Sequence, residues 1–83
     1  MAEHVTAYML IVTKVGEERI VKGRIEELAR REGGIERTEV KLVFGEYDLI
    51  VIVKASSISA LDDFVSKMRK LEGVERTVTL IGV

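Results

Sequence analysis

The residues best able to do chemistry lie together in one short segment. Gly45-Glu46-Tyr47-Asp48 separates two apolar runs, and Asp48 directly precedes the apolar residues Leu49 to Val53. A carboxylate in such a place needs a partner, because an unpaired charge is costly to bury. The candidates are a backbone amide, a cation of a neighbouring subunit and the ammonium group of a ligand. Gly45 also suits a tight hairpin that needs a positive φ. The segment therefore predicts a hairpin in which Asp48 bonds to the protein, to a ligand or to both.

Two threonines and one histidine complete the set of candidates. Thr77 and Thr79 alternate with Ile81 near the end of the chain, so they share one side of a strand. Threonine is common in strands, but two hydroxyls on one face also have the geometry to orient a small polar ligand. His4 is the only histidine, and a general base there would need an orienting partner that the sequence does not indicate. We therefore predict no catalytic residue.

The composition excludes several classes of site. The chain has no Cys, which rules out disulfides, thiolate catalysis and cysteine-based metal sites. Gly33-Gly34 follows a predicted helix instead of opening one, so it does not read as a phosphate-binding loop. The sequence predicts no metal site and no cofactor.

The charge and hydropathy patterns limit the partners. The net charge is −1 and no basic stripe is visible, so we predict no direct nucleic-acid binding. Tyr8 and Tyr47 occupy equivalent places on two predicted strands, as base-stacking aromatics do in RNA-binding domains, but their neighbours are aliphatic and packing at a subunit interface explains them better.

No apolar run approaches the roughly 20 residues that span a bilayer, and no signal peptide opens the chain. These observations predict a cytoplasmic protein without membrane contact. The absence of Asn and Gln, with 33% charged residues, favours a thermophilic source.

A repeat with a period of 39 residues organises the chain. Tyr8-Met9-Leu10-Ile11-Val12 recurs as Tyr47-Asp48-Leu49-Ile50-Val51, and Gly34-Ile35-Glu36-Arg37-Thr38 recurs as Gly73-Val74-Glu75-Arg76-Thr77, both 39 positions later. Helical periodicity runs over residues 17–32 and from Ser57 or Ser59 to Leu71, where Ser59 and Asp62 fit a capping box. Each half therefore has the order strand, helix, strand. Two such halves form the split βαβ arrangement of the ferredoxin-like fold.

The pattern of each strand predicts its place in the sheet. The strands at 7–13 and 47–53 are apolar on both alternating sides, as is typical of strands buried on both faces. The strands at 35–44 and 74–82 carry several charges, which suits sheet edges. We predict one α+β domain over residues 1–83, with a ferredoxin-like βαββαβ fold. Its antiparallel four-stranded sheet has the order 4-1-3-2 and carries two helices on one face.

The predicted sheet has a face that its own helices cannot cover. Two helices cover one face of four strands, and the central strands are apolar on both faces. A large apolar face does not stay exposed in water. The core of a chain of 83 residues is also marginal by itself. We therefore predict that a second copy packs on this face around a two-fold axis, as a dimeric α/β barrel.

Three motifs carry a resemblance to a known family. Phe44-Gly45-Glu46-Tyr47-Asp48-Leu49-Ile50 resembles the hairpin signature of the Lrp/AsnC effector domain, also called the RAM domain. Ala7 to Ile11 resembles the first strand of that domain, and Gly73 to Ile81 is similar to its last strand. The resemblance extends from about Thr6 to Val83. Phe44 stands where the family usually has Thr, and the helix-turn-helix that typically precedes this domain is not seen, so the chain resembles a stand-alone form.

The resemblance implies a function as well as a fold. Members form dimers that associate further, and amino-acid effectors bind in clefts between the dimers. It implies that Gly45, Glu46, Tyr47 and Asp48 form one wall of such a cleft, with Thr77 and Thr79 nearby. Asp48 would accept from the ammonium group of the effector, and hairpin amides or threonine hydroxyls would bind its carboxylate. Control of transcription or metabolism would then act through partners, among them a full-length helix-turn-helix paralogue.

Two other functions stay open at this point. One is a small dimeric α/β-barrel enzyme that uses the groove between helices and sheet, for which Glu46 and Asp48 are weak candidate acid–base residues. The other is a purely structural oligomerisation module. The fold alone does not choose among them.

Overall fold

The computed structural model describes residues 4–82, which form two helices and one four-stranded antiparallel sheet. The order along the chain is β1 (Val5–Thr13), α1 (Glu18–Arg31), β2 (Ile35–Leu42), β3 (Leu49–Ala55), α2 (Ile58–Met68) and β4 (Val74–Gly82). The strand order across the sheet is β2-β3-β1-β4, which is the predicted order read from the other edge. The ferredoxin-like fold, its two central strands and its two edge strands are confirmed.

The core lies between the helices and one face of the sheet. Alternate residues of β1 and β3 point into it, because successive side chains of a strand point to opposite faces. The helices contribute Val21, Ile25 and Leu28 from α1 and Leu61, Phe64 and Met68 from α2. From the central strands, Ala7, Met9, Ile11, Leu49, Val51 and Val53 are fully buried against them. Thr13 is the one buried polar residue among residues 4–82.

The helices differ from the predicted ones in their ends and in two side chains. Ser57, not Ser59, caps α2, and its hydroxyl accepts a hydrogen bond from the Ala60 backbone N–H at 3.1 Å. The capping-box prediction at Ser59 is therefore wrong, because the helix begins earlier than that box requires. Ile20 and Ile58 are apolar and lie within the predicted helical ranges, but they are 53% and 60% exposed. Both lie in the first turn of their helix.

The internal repeat appears in the fold as matching contacts between the two halves. Gly34 and Gly73 have φ of 84° and 96°, a region that side chains strongly disfavour. A Cβ atom on Gly34 would lie 2.6 Å from Ala60 Cβ in α2, and one on Gly73 would lie 2.7 Å from Val21 Cγ2 in α1. Gly34 and Gly73 are 39 positions apart, and so are Val21 and Ala60. Each half thus has an equivalent glycine, which lets its edge strand pass close to the helix of the other half.

Candidate functional site

The candidate site is the connection between β2 and β3, which forms the predicted hairpin. The Val43 N–H donates to the Asp48 carbonyl at 3.0 Å, and the Asp48 N–H donates to the Ile11 carbonyl at 2.8 Å. Gly45 has a φ of 122°, so the predicted positive φ is confirmed. Glu46 is exposed at the turn and Tyr47 is half-buried. The hairpin is therefore tied to the end of the central strand β1.

Asp48 makes the structural bond that was one of its predicted alternatives. Its Oδ2 accepts a hydrogen bond from the Thr13 backbone N–H at 2.8 Å and lies 3.4 Å from the Thr13 hydroxyl. This bond satisfies a backbone donor at the end of β1 that would otherwise lack a partner in a buried position. The second oxygen, Oδ1, receives no hydrogen bond from residues 4–82. Oδ2 thus ties the hairpin to the end of β1, and Oδ1 stays available to a hydrogen-bond donor.

A cavity of about 250 Å³ opens beside this carboxylate. It lies between the start of α1 and the hairpin, and its lining combines charged and apolar side chains from both: Glu18, Arg19, Leu42, Val43, Phe44 and Asp48. Phe44 is fully exposed and lies on the hairpin side of the cavity, whereas Glu18 and Arg19 come from the start of α1.

The structure places Thr77 and Thr79 away from the hairpin. Thr77 pairs with Ile11 of β1, and Thr79 pairs with Met9 of the same strand. Because Ile11 and Met9 are buried against the helices, both threonines lie on the helix-facing side of β4, as Ile81 does. Since β1 separates β3 from β4, the two threonines lie two strand spacings, about 10 Å, from the start of β3. Thr79 instead lines a separate apolar groove with Ile58, Leu61, Val65 and Ile81. Within one subunit, the predicted site residues therefore fall into two groups.

The face of the sheet opposite the helices is apolar and uncovered by any element of residues 4–82. Register places Leu10 between Ile50 and Val78 at its centre, and Tyr8 between Ile52 and Leu80 beside them. Tyr8 and Leu80 are 41% and 55% exposed. With Val12, these residues form what we call the open face: Tyr8, Leu10, Val12, Ile50, Ile52, Val78 and Leu80. An ion pair between Lys41 Nζ and Glu39 Oε2 at 3.3 Å borders it on β2.

Sequence reasoning missed four residues of the cavity: Glu18, Arg19, Leu42 and Val43. Arg19 and Leu42 come from a helix and a strand that are far apart in the chain, and no motif connects them. Arg19 did carry a signal, because it lies in the first turn of α1, where the helix dipole disfavours a cation. Such a residue is a candidate for binding an anion.

The described part of the chain contains neither a cluster of metal-ligating side chains nor a helix able to span a membrane. Residues 4–82 contain no group of three His, Asp or Glu side chains placed to hold a metal ion. Neither of their helices has the length and apolar character that a membrane-spanning helix needs.

Comparison with known proteins identifies a family and several similar structures. The family model of the Lrp/AsnC ligand binding domain matches residues 6–82. Among solved structures, a hypothetical protein from Pyrococcus horikoshii is 36% identical, with a TM-score of 0.79 over 95% of this chain and 89% of that chain. No curated protein matches the chain.

More distant structures show the fold alone. An AsnC family transcriptional regulator from Agrobacterium tumefaciens is 19% identical, with a TM-score of 0.66 over 94% of this chain and 49% of that chain. The present chain thus spans about half the length of that regulator. A proposed monooxygenase from Shewanella loihica is 18% identical, with a TM-score of 0.69 over 100% of this chain and 95% of that chain.

Proposed function

We propose that this chain, which belongs to the Lrp/AsnC ligand binding domain family, is an amino-acid-binding regulatory domain that assembles with copies of itself. The match over residues 6–82 carries the proposal, because it covers both central strands and the whole hairpin. The bound amino acid lies between dimers, beside Gly45, Glu46, Tyr47 and Asp48. The domain acts in the cytoplasm on transcription or metabolism through partners, among them a helix-turn-helix paralogue.

The geometry of Asp48 supports an amino acid as the ligand. Its Oδ2 is fixed by the Thr13 N–H at 2.8 Å, so the carboxylate cannot turn away freely from the cavity. Its Oδ1 is free to accept from an ammonium group, and a hydrogen bond between charged groups is stronger than one between neutral groups. Thr77 and Thr79 take part through a neighbouring subunit, since β1 separates them from the hairpin of their own subunit.

The open face supports assembly. It presents a continuous apolar surface across β3, β1 and β4, and apolar surface gains about 25 cal/mol for each Å² removed from water. A second copy with the same face, related by a two-fold axis, would cover both surfaces at once. The resulting pair is the dimeric α/β barrel predicted from the sequence.

The proposal assigns no catalytic role to the chain. An enzyme using the groove between helices and sheet would need acid–base groups there, but this interior is apolar apart from Thr13 among residues 4–82. The likeness to the proposed monooxygenase is a likeness of fold. A purely structural module remains the second candidate, and it differs from the proposal in binding no effector.

Calorimetric titration with each of the twenty amino acids tests the proposal. At least one should bind the assembled protein, and Asp48→Asn should weaken that binding at least about tenfold, since it removes the charge that pairs with the ammonium group. Asn keeps an oxygen that can accept from the Thr13 N–H, so the hairpin should stay intact. Asp63→Asn makes the same change on the exposed side of α2 and should leave binding unchanged. If no amino acid binds, the structural-module alternative replaces the proposal.

A further inference from the structure

We infer that Arg19 binds the carboxylate of the effector and that Leu42, Val43 and Phe44 select an apolar side chain. The inference rests on the proposed function, and it names the class of amino acid that the site takes. It follows from the cavity between α1 and the hairpin, where one cation, two carboxylates and three apolar residues meet. Arg19, Leu42 and Val43 lie outside the hairpin motif, and Phe44 is the first residue of that motif but was not among the predicted site residues.

The charges in the cavity suit a zwitterion. Arg19 and Asp48 line the same cavity, yet no ion pair or hydrogen bond joins them among residues 4–82. Arg19 makes no hydrogen bond or ion pair with any other described residue either. An α-amino acid carries an ammonium and a carboxylate group on neighbouring atoms, so it can satisfy both side chains together. The planar guanidinium can bind a carboxylate with two parallel hydrogen bonds.

The position of Arg19 needs an explanation that the helix itself does not provide. It is the second residue of α1, where the partial positive charge of the helix dipole acts against a cation. Glu18 beside it is held by its own loop, since its Oε2 accepts from the Gly16 N–H at 3.2 Å. A ligand carboxylate at this place would interact favourably with Arg19 and with the helix N-terminus at the same time.

The remaining wall of the cavity is apolar. Leu42, Val43 and Phe44 follow one another at the end of β2, and the Phe44 ring is fully exposed in a single subunit. An aliphatic or aromatic ligand side chain packed against them would remove apolar surface of both molecules from water. The volume of about 250 Å³ is below the roughly 300–1,000 Å³ of sites for drug-sized ligands. It therefore suits a ligand as small as one amino acid.

Titration of the assembled protein with amino acids and two analogues of leucine tests the inference. Leucine or another large apolar amino acid should bind at least about tenfold more tightly than alanine, lysine or glutamate. Leucinamide lacks the carboxylate and should bind at least about tenfold more weakly than leucine. 4-Methylpentanoate lacks the ammonium group and should also bind more weakly than leucine, because it loses the contact with Asp48.

Arg19→Gln locates the carboxylate contact. It should weaken leucine binding at least about tenfold and remove most of the difference between leucine and leucinamide, because the two losses act on one contact. Arg31→Gln makes the same charge change in the last turn of α1 and should alter neither quantity. Phe44→Thr should reduce the preference for leucine over alanine.

The outcomes separate the inference from the proposed function. If a charged or small amino acid binds best, or if Arg19→Gln behaves like Arg31→Gln while an amino acid still binds, the inference is overturned and the proposed function stands. If none of the twenty amino acids binds the wild-type protein, both are overturned.

Discussion

The substitution Leu10→Asp addresses the assembly on which the function depends. Leu10 lies at the centre of the open face, between Ile50 on β3 and Val78 on β4. In a single subunit it is half-buried, so we expect a carboxylate at this position to reach water and the single subunit to stay folded. In the face-to-face pair the same carboxylate would be buried among apolar side chains, together with its symmetry mate.

The expected effect on the dimer is large. Each subunit loses the burial of a leucine side chain, worth about 1.5–3 kcal/mol, and two carboxylates must be desolvated without partners, at several kcal/mol for each ion. Even a total of about 4 kcal/mol, well below the sum of these figures, weakens the dimer about a thousandfold. Sedimentation velocity over a wide range of concentrations should show a dimer or larger assembly for the wild type and a monomer for the variant.

A matched control is available on the helix side of the molecule. Ile58 is 60% exposed and is the first residue of α2, where a carboxylate is favoured by the helix dipole. Ile58→Asp should therefore keep the face-to-face dimer in sedimentation, although Ile58 shares a groove with Thr79 and could affect contacts between dimers. If Leu10→Asp sediments like the wild type, or if the wild type is monomeric at micromolar concentrations, the open face is not a dimer interface and the reasoning fails.

Three further predictions concern the stability of the subunit. Asp48→Ala should leave the Thr13 N–H without a partner and lower the free energy of unfolding by about 1–3 kcal/mol. Asp48→Asn keeps an acceptor and should cost less. Thermal unfolding at one fixed protein concentration measures both variants, and equal losses would exclude the proposed bond. Gly34→Ala and Gly73→Ala should each cost more than about 1 kcal/mol in chemical denaturation, because both have a positive φ and a close helix neighbour. Gly23→Ala should instead stabilise the protein by about 0.5–1 kcal/mol, since a Cβ atom there meets nothing within 4 Å.

The fold was predictable because several local signals agreed. The repeat of 39 residues defined the two halves, and the contrast between apolar and charged strands identified central and edge positions. The ends of the helices were less predictable, because Ser57 and Ser59 are both good caps and packing chose between them. Ile20 shows a related limit, since helical periodicity does not reveal where the sheet beneath a helix ends.

The candidate site was predictable only where one continuous segment forms it. The hairpin and the need of Asp48 for a partner followed from residues 45–48, and the partner proved to be the Thr13 backbone N–H at 2.8 Å. That partner is 35 positions away in the chain, so only the pairing of β1 with β3 brings it close. Arg19 could not be predicted for the same reason, since it lies on the helix that follows β1 and only the fold brings it close to the hairpin.

Strand β1 connects the open face to the candidate site, and this connection gives regulation a physical route. Val12 points to the open face, and the next residue, Thr13, holds the carboxylate of Asp48. A partner packed on Val12 and Leu10 therefore restrains the strand end that orients Asp48 toward the cavity. Under the proposed function the effector lies between dimers, so it would gain contacts when subunits assemble. Binding free energies are reciprocal, so an effector that prefers the assembled form must strengthen assembly by the same factor by which assembly strengthens its binding.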